Sequence, residues 1–96
     1  MIVHTIMFEL DPTKRDEVDA ALDALRSLVA LDGVLSMIVG ADNSPEDLNF
    51  GYTHAAVAVF ESPEARDAYL RAPQHLMVVA MLQKVMRRVI VVDFDA

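Results

Sequence analysis

The chain has no cysteine. That excludes a disulfide framework and a thiolate metal site, and it fits a reducing cytosol. Positive charge is scarce: Lys and Arg number 8 against 15 Asp and Glu, giving a net charge of −7 at pH 7. A nucleic-acid partner needs a basic face, so this balance argues against one. Long hydrophobic runs are also missing. The longest, Leu76–Leu82, falls far short of the ~20 residues of a membrane span, and no basic stretch leads into an apolar export segment. A cytoplasmic protein with no membrane partner is the expectation. The scattered glycines Gly33, Gly40 and Gly51 form no phosphate loop, and no Ser stands in a nucleophile context.

What is present is apolar pattern. Hydrophobic residues make up 54% of 96 residues, enough for a single domain over residues 1–96 with one core. Ile2–Leu10 alternates as a strand, with Ile2, His4, Ile6, Phe8 and Leu10 on one face and Val3, Thr5, Met7 and Glu9 on the other. Asp11-Pro12-Thr13 starts a helix expected to reach about Leu31, with Val18, Ala21, Leu22, Leu25, Leu28 and Val29 as its apolar stripe. Gly33 stops it. Val34–Ala41 is a second strand, with Leu35, Met37 and Val39 expected to share a face. After the polar turn at residues 42–49, Gly51–Glu61 reads as a third strand carrying Tyr52, His54, Ala56, Ala58 and Phe60 on one side. Ser62-Pro63-Glu64 opens a short helix to about Arg71, and Pro73 opens another expected to reach Arg87. Lys84, Arg87 and Arg88 would then lie in its last turn. Val89–Asp95 is the closing strand.

The order β-α-β-β-α-β, with the second helix broken in two, implies an α+β ferredoxin-like fold with an antiparallel four-stranded sheet. Helices can cover only one face of that sheet. The other face should be polar, yet it would carry Val3, Met7, Ile38, Val57, Val59, Ile90, Val92 and Phe94. A bare apolar face of that size pairs or aggregates. The expectation is a homodimer through the sheet faces.

Four segments in order, IVHTIMFEL, GYTHAAVAVFES with a following Tyr, a Pro-x-His, and the closing VVDF, resemble the stress-responsive A/B barrel domain (Dabb) family. The resemblance spans nearly the whole chain and implies a dimeric α+β barrel. Functions in the family are mixed. One plant member, olivetolic acid cyclase, is a polyketide cyclase whose acid–base pair is a Tyr and a His on the broken second helix, matched here by Tyr69 and His75. Its pocket histidines on the first and third strands are matched by His4 and His54. Where that enzyme has aromatics on its first helix this chain has Ala20, Ala21 and Ala24, and Met86 stands in place of a Trp, so the substrate does not carry over.

The candidate site therefore has His75 as general base and Tyr69 as hydrogen-bond donor to a developing enolate oxygen. His4 and His54 would orient the substrate. Ile6, Phe8, Ala24, Met37, Ala56, Val78, Val79, Leu82 and Met86 would form the pocket wall around a small apolar ligand with a carbonyl or phenol group. A cofactor-free cyclisation or isomerisation is the reaction class. The alternatives are a non-catalytic stress-response or structural dimer, in which the four polar groups are satisfied core residues, and a cofactor-free monooxygenase-like protein. No cofactor is expected. No metal is expected either: the histidines lack a His-x-x-x-His spacing, and no carboxylate stands out as their partner.

Overall fold

The computed structural model describes residues 1–96. Strand β1 (Ile2–Leu10) leads to helix α1 (Arg15–Ser27), extended by a 3-10 turn at Leu28–Ala30. Strands β2 (Val34–Ala41) and β3 (His54–Phe60) follow, then helices α2 (Pro63–Arg71) and α3 (Pro73–Gln83) and strand β4 (Met86–Asp95). All pairings are antiparallel and the strand order is β2-β3-β1-β4. This is the ferredoxin-like α+β arrangement.

The helices lie on one face. There the even-numbered residues of β1 and β3, among them Ile6, Phe8, Ala56, Ala58 and Phe60, meet Val18, Ala21, Leu22 and Leu25 of α1. Phe8, Phe60 and Leu25 are the largest side chains shut off from solvent. The opposite face has no cover. Ile38, Val92 and Phe94 are each more than half exposed, and Met7 and Ile90 are exposed beside them.

Several boundaries differ from the sequence expectation, each for a local reason. The first helix begins at Arg15 because Asp11 is occupied in a turn: its Oδ1 accepts from the Thr13 N–H and hydroxyl. The helix frays into the 3-10 turn at Leu28, which leaves Val29 exposed rather than in the apolar stripe. A register shift between Val34 and Ser36 turns Leu35 outward, so Val34, Met37 and Val39 pack on the core instead. β3 begins at His54, since Asn49–Tyr52 forms a turn with Phe50 and Gly51 at positive φ.

The last helix stops at Gln83, and β4 starts at Met86, because β1 offers paired backbone as far as Leu10. Met86 is thus a strand residue, not a helical one. Arg88 does not neutralise a helix end; it pins the β2–β3 loop. Its Nε donates to Glu9 Oε1 at 2.8 Å and its guanidinium lies 4.5 Å from the centre of the Tyr52 ring.

Two junctions set the site. Ser62 caps α2 by accepting from the Ala65 N–H at 3.1 Å, with Pro63 in the first turn. Gly33 sits beneath that cap at φ +80°, where a Cβ would come 2.6 Å from Ala65 Cβ. Ala72, extended at ψ 136° ahead of Pro73, then breaks the helix. The break swings α3 back across α1 and β1.

Candidate functional site

Between α2–α3 and the β1–β4 half of the sheet lies a cleft of about 380 Å³. Its floor is His4, Ile6 and Phe8 of β1 with Val89, Val91 and Asp93 of β4. The strands place them in facing pairs: His4 opposite Asp93, Ile6 opposite Val91 and Phe8 opposite Val89. The roof is Tyr69 and Leu70 of α2 with His75, Val78, Val79 and Leu82 of α3. Met86, Gln83 and Leu25 close the far end. The cleft is therefore polar at the His4 end and, Gln83 apart, apolar along the rest of its length.

Three aromatic rings pack tilted or edge-on around Tyr69 at the polar end. Tyr69 lies 4.8 Å from Phe60, 4.5 Å from His75 and 6.3 Å from His4, between ring centroids. These rings hold Tyr69 almost wholly buried. Its hydroxyl has no hydrogen-bond partner, an uncommon state for a buried polar group. Burial pushes the Tyr69 hydroxyl up to about 12. It stays protonated at neutral pH, ready to donate.

His75 has the complementary state. Its Nδ1 lies 3.2 Å from the Leu70 carbonyl oxygen, which can only accept, so Nδ1 carries the proton and donates. Nε2 is left with a lone pair. Burial lowers the imidazole's proton affinity, the Leu70 hydrogen bond opposes that, and His4 adds to the lowering. The net direction is down, so the ring is a neutral base at pH 7.

His4 is anchored from the side. Its Nδ1 is 2.6 Å from Asp93 Oδ1, and Asp93 Oδ2 accepts from Arg66 Nη1 at 3.2 Å. The carboxylate that seemed absent is thus present. Asp93 shares the helix-facing parity of β4, but its pairing with His4 shows only once β4 is laid antiparallel to β1. Arg66, one helical turn before Tyr69, carried no signal of its own.

Other expected site residues lie elsewhere. His54 shares a sheet face with His4 but pairs with Phe8, four residues further along β1 or roughly 13 Å away. It lies outside the cleft, in a small polar recess with Asp11, Arg15 and Asp19, and its Nδ1 is 2.8 Å from Thr53 Oγ1. Burial lowers its proton affinity, with Asp19 opposing. Ala56 is sealed in the core; Ala24 and Met37 pack against that core and do not reach the cleft. A larger concavity of about 460 Å³ lies on the uncovered sheet face under the β2–β3 loop, next to Met7, Ala55 and Ile90. His54 also borders this concavity, with Tyr52, Asp42 and Glu46. No group of three or more His, Cys, Asp or Glu side chains is placed to hold a metal ion. No helix is long and apolar enough to cross a membrane.

Comparison with known proteins identifies the family and the fold. The sequence profile of the stress responsive A/B barrel domain matches residues 2–96. A stress-response A/B barrel domain-containing protein, HS1, from Arabidopsis thaliana is 36% identical over 55 residues, covering 57% of this chain and 50% of that protein. The match thus spans about half the length of that curated relative. A dimeric ferredoxin-like protein of unknown function from Thermobifida fusca superposes with a TM-score of 0.85 at 26% identity, over 99% of this chain and 90% of the other. A hydroxynitrile lyase from Passiflora edulis superposes with a TM-score of 0.86 at 16% identity, over 97% and 90% of the two chains, a likeness of fold alone. With the profile matched along virtually its whole length, the chain belongs to the stress responsive A/B barrel domain family.

Proposed function

We propose that this protein is a homodimer in which each protomer binds a small, mostly apolar molecule in the cleft and carries out acid–base chemistry on its carbonyl or phenol group. The observation that carries the reading is the Tyr69–His75 pair. An unpartnered buried hydroxyl held protonated and a neutral imidazole with a free lone pair pack at 4.5 Å at the polar end of an apolar cleft. His75 Nε2 takes a proton from the carbon next to a carbonyl. Tyr69 donates to the carbonyl oxygen as negative charge develops there. The apolar wall of Val78, Val79, Leu82 and Met86 excludes water and binds the rest of the molecule. Such a proton transfer serves a cyclisation or an isomerisation. One protein of this fold is by name a lyase, which is compatible with catalysis on the scaffold.

The sheet supports the dimer. Its uncovered face presents Ile38, Val92 and Phe94 more than half exposed, and the Thermobifida fusca protein of like fold is dimeric. A second copy laid sheet to sheet covers this face and leaves the cleft, on the other side, free.

The test is thermal denaturation with a panel of alkylphenols and alkyl β-diketones. A ligand at 100 times its Kd raises stability by about 2.7 kcal/mol. The reading expects at least one compound to raise Tm in the native protein and to do so far less in Tyr69→Phe and His75→Ala. A panel that leaves the native Tm unmoved contradicts it.

A further inference from the structure

We infer that Asp93 is a positioning residue that fixes His4 as a hydrogen-bond acceptor toward the cleft, so that the ligand's head group must carry a donor as well as an acceptor. The inference rests on the cleft being the ligand site, as proposed above, and specifies the chemistry of what enters it.

The argument begins with the carboxylate. Asp93 Oδ1 lies 2.6 Å from His4 Nδ1, while Oδ2 accepts from Arg66 Nη1 at 3.2 Å. An ionised carboxylate only accepts. Nδ1 must therefore carry the proton, and in the neutral ring Nε2 has none. Nδ1 faces Asp93 on the neighbouring strand, in register; Nε2 is on the other side of the ring, and His4 lines the cleft. His4 is 4% exposed and held by the Asp93 contact. Phe60, edge-on at 5.9 Å, holds the ring plane.

The polar end then offers two complementary groups. Tyr69 Oη–H is a donor without an acceptor. His4 Nε2 is an acceptor without a donor. A carbonyl or ether oxygen satisfies Tyr69 alone. A hydroxyl, as in a phenol or an enol, satisfies both: its oxygen accepts from Tyr69 and its proton goes to His4. A ligand that leaves a buried acceptor unpaired forfeits about 1–3 kcal/mol; at about 1.4 kcal/mol, in the lower half of that range, hydroxyl ligands are favoured over their methyl ethers by about tenfold. Arg66 extends the effect to Asp93. In Asp93→Asn the amide oxygen stays on the Arg66 guanidinium, so the amide NH₂ faces His4 Nδ1. The imidazole proton moves to Nε2, and the requirement for a ligand donor disappears.

The test uses two readouts on the intact protein. Long-range ¹H–¹⁵N NMR of the ligand-free protein at pH 8 reports the tautomer of His4; the inference expects the proton on Nδ1. A proton on Nε2, or on both nitrogens, overturns it. Titration with 4-butylphenol and 4-butylanisole reports the preference, expected at about tenfold for the phenol in the native protein and abolished or reversed in Asp93→Asn. Equal affinities in the native protein overturn the inference while leaving the cleft as a binding site. Binding of neither compound, nor of any other alkylphenol, removes the ligand-site reading and this inference with it. The native-protein measurements decide the matter even if Asp93→Asn does not fold.

Discussion

Tyr69→Phe is expected to stabilise the free protein and weaken it as a binder. The substitution removes one oxygen and leaves the ring, so the contacts to Phe60 at 4.8 Å and His75 at 4.5 Å persist. What disappears is a buried hydroxyl with no partner. Leaving such a group unsatisfied costs about 1–3 kcal/mol; the small void left by its removal takes back part of that. The expected gain is about 1 kcal/mol, or a rise in Tm of roughly 4–8 °C for a domain of this size. Urea and thermal unfolding of both forms at one matched protein concentration give the comparison, since oligomer stability depends on concentration. Affinity for 4-butylphenol should fall by about tenfold in the same variant. Effects of opposite sign on stability and binding mark a residue kept for function at a cost in stability. Loss of 1 kcal/mol or more in the variant would refute the reasoning, because it would mean the hydroxyl is paired in the free protein.

Two further outcomes follow. Both His75 and His54 have lowered proton affinity in the folded chain, so the unfolded chain binds more protons as pH falls through about 6.5 and below. Stability should be full above that value and decline on acidification, and denaturant midpoints for His75→Gln should show a flatter acid limb; an unchanged limb would remove His75 from the account. Val57, which faces Thr5 and Ile38 at the middle of the uncovered sheet face, should tolerate no charge in a sheet-to-sheet dimer. Val57→Lys is expected to give a monomeric mass by light scattering at micromolar concentration, and a native protein that is itself monomeric would end the dimer proposal.

The sequence carried the element order and the two sheet faces, because strand periodicity and the Ser-Pro and Pro helix starts are local signals. It carried less where pairing decides. Simple alternation puts Leu35 on the face of Met37 and Val39, but one register shift against β3 turns it out. A helix through Met86 is the sequence expectation, since no Gly or Pro intervenes after Pro73; the free length of β1 draws it into β4 instead. His54 has the right parity but the wrong place along its strand, a distance that periodicity does not measure. Asp93 is the reverse case. Nothing in the strand pattern singles it out, and its pairing with His4 appears only from the register of β1 against β4. Tyr69 and His75 are paired at the sequence level by the family resemblance alone; the helix break at Ala72-Pro73, which lies between them, is what folds one toward the other.

The cleft as a ligand site is the claim on which the rest depends. An ¹H–¹⁵N correlation titration of the native protein with 4-butylphenol addresses it residue by residue. The account predicts saturable shifts concentrated on His4, Tyr69, Leu70, His75, Val79 and Val91, around the cleft. Shifts confined to the uncovered sheet face near Met7, Ala55 and Ile90, or no saturable shift at any residue across the alkylphenols, would contradict it.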